Sequence, residues 1–215
     1  MAAIPLRRSS VIIWLSVVAL CSVILMILFE IKAHLIQEKK DRTRYLVETA
    51  HSLIVAAYKD GQKRRLNTAD SQKNGLSSLK NLRYGENYYF WVNDGRPVML
   101  MHPVQPDLVG RDLSAIRDTE GTLLFQEMQL IANELGEGFL TYNWPKPGLK
   151  EPVPKISFVK YFEPWDWIVG SGAYVEDIND VFYRYVMIFA IFIVFMILPV
   201  AYFLDKNIGF NSHQE

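Results

Sequence analysis

The spacing of apolar positions along this chain changes character several times, and each change predicts a different element. From Val11 to Phe29, and again from Tyr185 to Phe203, no charged residue interrupts the apolar run. Each run is long enough to cross a hydrocarbon core of about 30 Å as a helix. Beyond the first run no glycine or proline occurs before Asp60, and Leu46, Val47, Ala50, Leu53, Ile54, Ala57 and Tyr58 recur at helical spacing, so one long helix is expected to continue into water and to stop at Gly61. Leu66 to Leu82 predicts a shorter second helix, with Asn74-Gly75 as its weak point. From Tyr88 the period becomes that of strands: Tyr88–Val92 and Val98–His102 flank Asn93-Asp94-Gly95-Arg96, a hairpin signal. Thr119–Leu135 reads as a helix stopped by Gly136, and Phe139–Trp144, Lys155–Phe162 and Trp167–Tyr174 read as further strands. Helices first, then antiparallel strands with one helix inserted, predict an α+β domain: a long N-terminal helix on a five-stranded antiparallel sheet, flanked by two transmembrane helices.

This pattern divides the chain into a cytoplasmic N-terminus (1–10), a first membrane helix (11–30), an extracytoplasmic domain (31–184), a second membrane helix (185–204) and a short cytoplasmic tail (205–215). The first run exits through Phe29-Glu30-Ile31-Lys32 without a small-residue cleavage site, so it is expected to stay as an anchor. Arg7 and Arg8 before it place the N-terminus in the cytoplasm and the domain on the other side of the membrane. The only cysteine, Cys21, lies within the first run, so the domain has no disulfide and depends on its core.

Charge and composition narrow the function. Half of the residues are apolar, and Lys+Arg and Asp+Glu both total 23, which does not suggest a nucleic-acid partner. The four histidines, at 34, 51, 102 and 213, are too dispersed for a zinc pattern, and no nucleophile motif or phosphate-cradling glycine loop is present. No cofactor and no catalysis are expected.

The blocks "RYGENYYFWVNDGRPVMLMHP", "GEGFLTYNWPKPG" and "PKISFVKYFEPWDWIVGSGAYVEDI", in that order between two membrane runs, resemble the single Cache sensor domain, second subtype, of bacterial chemoreceptors and sensor kinases. The resemblance implies a helix on one sheet face, a small-ligand pocket on the other, and a short carboxylate such as acetate, propionate, pyruvate or lactate as ligand. Such a pocket needs a cation for the carboxylate and an aromatic or thioether wall for the tail. Strand alternation puts Lys155 and Ser157 on one face, Tyr142 and Trp144 on one face of their strand, and Tyr89 and Trp91 on one face of theirs. With His102 and Met101 these form the expected cage, Lys155 holding the carboxylate; parity alone does not establish that the chosen faces coincide. Gly170 and Gly172 read as architectural, and Glu176-Asp177 as suited to the positive end of the exit helix.

Two functions follow from these features: a membrane-anchored carboxylate sensor acting in chemotaxis or signal transduction, and a membrane adaptor that uses the same fold without a small ligand. A parallel homodimer through the membrane-proximal half of the helix Leu35–Tyr58 is expected. Because only residues 205–215 follow the second run, without an output domain, the expectation is either the sensing portion of a truncated or split receptor, or a chain that signals through a separate partner.

Overall fold

The computed structural model describes residues 4–85 and 88–211; residues 1–3 of the expected N-terminus, 86–87 of the first motif block and 212–215 of the expected tail lie outside the described residues. The described residues form two compact units, residues 37–177 and the helical segments 4–36 with 178–211.

Helix α1 runs Ile4–Arg64 and α2 Thr68–Lys80. The strands are β1 Arg83–Tyr84, β2 Tyr88–Asp94, β3 Met99–Met101, β4 Glu137–Pro145, β5 Pro152–Phe162 and β6 Trp167–Tyr174, with α3 Leu124–Leu135 before β4 and α4 Val175–Asn211 after β6. Two of these helices, over Ile13–Arg64 and Val175–Tyr202, are long and apolar enough to cross a membrane. In the helical unit Trp14, Leu25, Phe29, Ile191 and Phe195 are exposed, as hydrocarbon-facing residues would be.

In the other unit the strands make one antiparallel sheet in the order β1-β2-β6-β5-β4, with β3 also paired to β2. The sheet has six strands where the sequence predicts five, because the two-residue β1, too short to show a period, pairs Arg83 with Tyr89 and Tyr84 with Tyr88. Ala50 and Ile54 of α1 pack on one face with Phe90, Val92, Val169, Trp167 and Phe162. The other face buries Tyr89, Trp91, Tyr142, Trp144, Val159 and Ile168 beneath α3, which contributes Leu124, Phe125, Met128 and Ala132. Successive side chains of a strand point to opposite faces, so Phe90 and Val92 serve the α1 core while Tyr89 and Trp91 serve the α3 core.

Helix boundaries differ from the expectation at three points. Gly61 does not end α1: a β-carbon there would lie 2.0 Å from Ser71 Oγ, so this glycine is where α2 folds back against α1. The helix stops instead at Arg64, where Arg65 takes a positive φ of 54°. Gly75 is likewise a buried contact, against Trp165, Ile54 and Ala57, and not a weak point. The third helix begins at Leu124 and not Thr119, because the Asp118 carboxylate accepts the backbone N–H groups of Glu120, Thr122 and Asn143 and holds the preceding residues in a turn.

Candidate functional site

Lys155 opens the argument because an ammonium group is rarely buried without a partner. It sits in β5 opposite Tyr142 of β4 and Tyr174 of β6, is 1% exposed, and forms no ion pair among the described residues. Its Nζ donates to Tyr89 Oη at 3.1 Å. The same nitrogen lies 4.4 Å from the Tyr89 ring centre, 4.9 Å from Trp91 and 5.2 Å from Tyr174, a cage of three aromatic faces. Cation–π attraction of this kind, strengthened by desolvation, offsets part of the cost of removing the charge from water.

Room for this arrangement comes from the glycines of β6. A β-carbon at Gly170 would lie 2.2 Å from Trp91 Cζ2, and one at Gly172 2.2 Å from Ser157 Oγ and 2.8 Å from Lys155 Cε. These two positions are therefore the floor on which the indole and the lysine stem lie, a role more specific than the architectural one expected of them.

Around the cation stand hydrogen-bonding groups that carry no negative charge. Tyr142 Oη and Ser157 Oγ are 3.0 Å apart and buried. Burial raises the Tyr142 phenol above its ordinary range, and burial, with Tyr89 nearby, does the same for Tyr174, so both stay neutral. His102 is 4% exposed, with its ring 4.9 Å from Tyr89 and 6.3 Å from Trp144. Its Nδ1 accepts the Gln105 backbone N–H at 2.9 Å. Burial, assisted by the Lys155 charge, lowers the His102 pKa to about 3, so the ring is neutral and carries its proton on Nε2. Trp144 meets Phe125 edge-on at 6.0 Å and closes the apolar end. Trp91 Nε1 is buried with no hydrogen-bond acceptor among the described residues. A buried cation and an unmatched indole donor together call for an acceptor, and an anion supplies one.

The structure brings Lys155, Tyr89, Trp91, Tyr142, Trp144 and His102 to the α3 face of the sheet, whereas Met101 goes elsewhere. Met101 lies in the α1 core and Met99 takes the place expected of it. The reason is an irregularity between Val92 and Asn93, which pair with Met101 and Met99 respectively. Such a bulge breaks the simple alternation, so two methionines two residues apart face opposite cores. Sequence reasoning also missed Tyr174, whose hydroxyl donates to the Pro145 carbonyl at 3.0 Å. The alternation of β6 would have set Tyr174 with Gly170 and Gly172, but only the strand register places it beside Lys155.

A second polar cluster adjoins the cage at the start of α4. The Asp177 carboxylate accepts from Lys146 Nζ at 2.6 Å and from the Tyr88 hydroxyl. Its position in the first helical turn suits the dipole, as expected, but its side chain also ties β2 and the β4–β5 connection to that turn.

The architecture is thus a helix-backed antiparallel sheet with a buried, cation-centred aromatic cage on its far face. The Cache domain family model matches residues 21–187, and the chain belongs to that family. It is 41% identical over 180 residues to the methyl-accepting chemotaxis protein McpP of Pseudomonas putida, a match covering 83% of this chain and 33% of that protein. It is 33% identical over 100 residues to the sensor histidine kinase MctS of Rhizobium johnstonii, covering 46% of this chain and 22% of the kinase. The chain thus spans only a third or less of these two relatives. Among solved structures, a periplasmic sensor domain of a chemotaxis protein superposes with a TM-score of 0.64 at 46% identity, covering 65% of this chain and 97% of that one. A Cache chemosensory domain solved to explain carboxylic acid recognition superposes with a TM-score of 0.64 at 42% identity, covering 66% and 97%.

Proposed function

We propose that this chain is the sensing region of an inner-membrane signalling receptor and that it binds a short carboxylate of the acetate, propionate, pyruvate or lactate class. The observation that carries the reading is Lys155: a buried ammonium whose neighbours are aromatic faces and neutral donors, beside an indole N–H with no acceptor. In this reading the carboxylate takes charge-assisted hydrogen bonds from Lys155 and accepts from Trp91 Nε1, while Tyr142, His102 and Trp144 bound the tail. Carboxylic acid recognition by a Cache domain 42% identical to this chain supports the ligand class.

Residues 11–30 and 185–204 would cross the membrane, residues 31–184 would face the periplasm, and the occupied state would be read out by a homodimer or a separate signalling partner. The two apolar helices and the periplasmic sensor domain that is 46% identical support this placement.

Calorimetry and thermal shift on the full chain in nanodiscs, with acetate, propionate, pyruvate, L-lactate and the corresponding amides, test the ligand class. At least one acid should bind and stabilise while its amide does not. Stabilisation by none of the acids would overturn the reading in favour of a protein-interaction role.

A further inference from the structure

The cage is closed to solvent, and one of its walls is also the wall of an open groove. Ala69, Lys73, Leu76, Ser77 and Lys80 of α2 face Leu100, Pro103, Pro106 and Val109 across a groove of about 720 Å³, and His102 lines it. The same His102 ring packs on Tyr89 and Trp144 inside the cage. Among the described residues the His102 side chain has one hydrogen bond, from the Gln105 backbone at the far end of a short irregular segment, and His102 lies outside the strand. The preceding residue, Met101, belongs to the α1 core and lines the same groove, so this short stretch of chain touches the groove, the α1 core and, through His102, the cage.

The electrostatics of the groove agree with traffic of an anion. Lys73 and Lys80 lie two turns apart on one face of α2, and neither forms an ion pair among the described residues. Among the described residues, no acidic side chain lines the groove. A cleft lined by one sign of charge concentrates the opposite ion and speeds its capture.

Resting on the carboxylate reading above, we propose that this groove is the outer station and entrance of the site: the organic acid is collected beside Lys73 and Lys80 and passes to Lys155 when His102 and the Pro103–Gln105 segment swing aside. Because the His102 ring is neutral, its displacement moves no charge. The groove thus sets how fast the sensor fills and empties, while the cage sets how tightly it holds.

Stopped-flow recording of intrinsic tryptophan fluorescence on the full chain in nanodiscs, with the tightest-binding of acetate, propionate, pyruvate and L-lactate, tests this. Ser77→Phe and Val109→Phe narrow the groove from opposite sides at exposed positions, and Ser78→Phe, exposed on α2 but not lining it, is the control. A raised entry barrier slows arrival and departure equally, so both plugged variants should lose about tenfold or more in both rate constants with Kd unchanged, while the control keeps wild-type rates. The double variant Lys73→Glu/Lys80→Glu should lower the association rate about three- to tenfold at low salt, and the loss should shrink as salt screens the groove. Plugged variants with wild-type rates, or with a change confined to the dissociation rate, would overturn the entrance. Absence of acid binding to the wild type would instead remove the carboxylate reading itself, and the entrance with it.

Discussion

Tyr174 faces Lys155 directly across the β5–β6 pair, its ring centre 5.2 Å from the lysine Nζ, and α4 begins at the very next residue. The tyrosine hydroxyl donates to Pro145, whose neighbour Lys146 pairs with Asp177 in the first turn of that helix. The cage and the start of the exit helix therefore share a short chain of contacts: cation, aromatic ring, carbonyl, ion pair. In the proposed function, a carboxylate arriving at Lys155 would change the charge against which Tyr174 packs.

This arrangement separates binding from transmission. Asp177→Asn removes the charge that holds Lys146 and weakens the Tyr88 contact without touching the cage. Its side chains are partly exposed, so the expected cost to stability is modest, about 1 kcal/mol. Kd for the acid should stay within about twofold of wild type, since the hydrogen-bond partners of Asp177 are Tyr88 and Lys146 and not the side chains of the cage. Hydrogen exchange at residues 175–177 should lose its response to the ligand. A retained ligand-dependent protection there would show that the clamp carries no signal.

Lys155→Met tests the anchor itself. Methionine keeps most of the stem and its packing on Gly172 but removes the charge. A hydrogen bond to a charged group contributes about 1.5–3 kcal/mol, so binding should weaken about 10- to 150-fold. The melting temperature without ligand should hold or rise, because a buried cation with no acidic partner is lost along with its desolvation cost. Calorimetry showing wild-type affinity would move the anchor to His102 or Tyr142.

The pH dependence of stability has a defined sign. His102 has its pKa lowered to about 3 by burial and by Lys155, against an ordinary value of 6.5, so the unfolded chain takes up a proton that the folded chain refuses. The stability associated with neutral His102 is fully present above pH 6.5 and is lost as the pH falls from there toward 3, amounting to about 2 kcal/mol by pH 5. His51, also held below its ordinary value by burial, acts in the same sense. Denaturant unfolding of His102→Gln should therefore show a shallower, not absent, decline between pH 7 and 5. Acid affinity should stay flat over the same range, because the ring gains no charge to offer the ligand; an affinity that rises at pH 5 would mean an imidazolium in the site.

Gly170→Ala probes the floor of the cage. The added carbon would meet the Trp91 ring at 2.2–2.8 Å, and the indole is itself buried in the α3 core. Overpacking of this kind costs about 1–3 kcal/mol and displaces the ring, so affinity should fall along with stability. Unfolding curves and calorimetry on the one variant check both, and unchanged affinity would mean that Trp91 is not a ligand contact.

Much of this architecture was written in local patterns. Uninterrupted apolar runs mark the two membrane-length helices, helical spacing marks Leu46 through Tyr58, and the alternation of β2, β4 and β5 groups Tyr89 with Trp91, Tyr142 with Trp144, and Lys155 with Ser157. Each of these depends only on neighbours a few residues away, where backbone geometry alone dictates which side chains share a face. What alternation leaves open is which face meets the helix, and the register between strands far apart in sequence. Tertiary packing settled both. It set Phe90 and Val92 against α1, freeing Tyr89 and Trp91 for the cage. It brought Tyr174 beside Lys155 and Asp177 beside Tyr88, pairs that no local period relates. The bulge at Val92–Asn93 then put Met99, and not the expected Met101, on the α3 side, because one irregular pairing reverses every side chain that follows it.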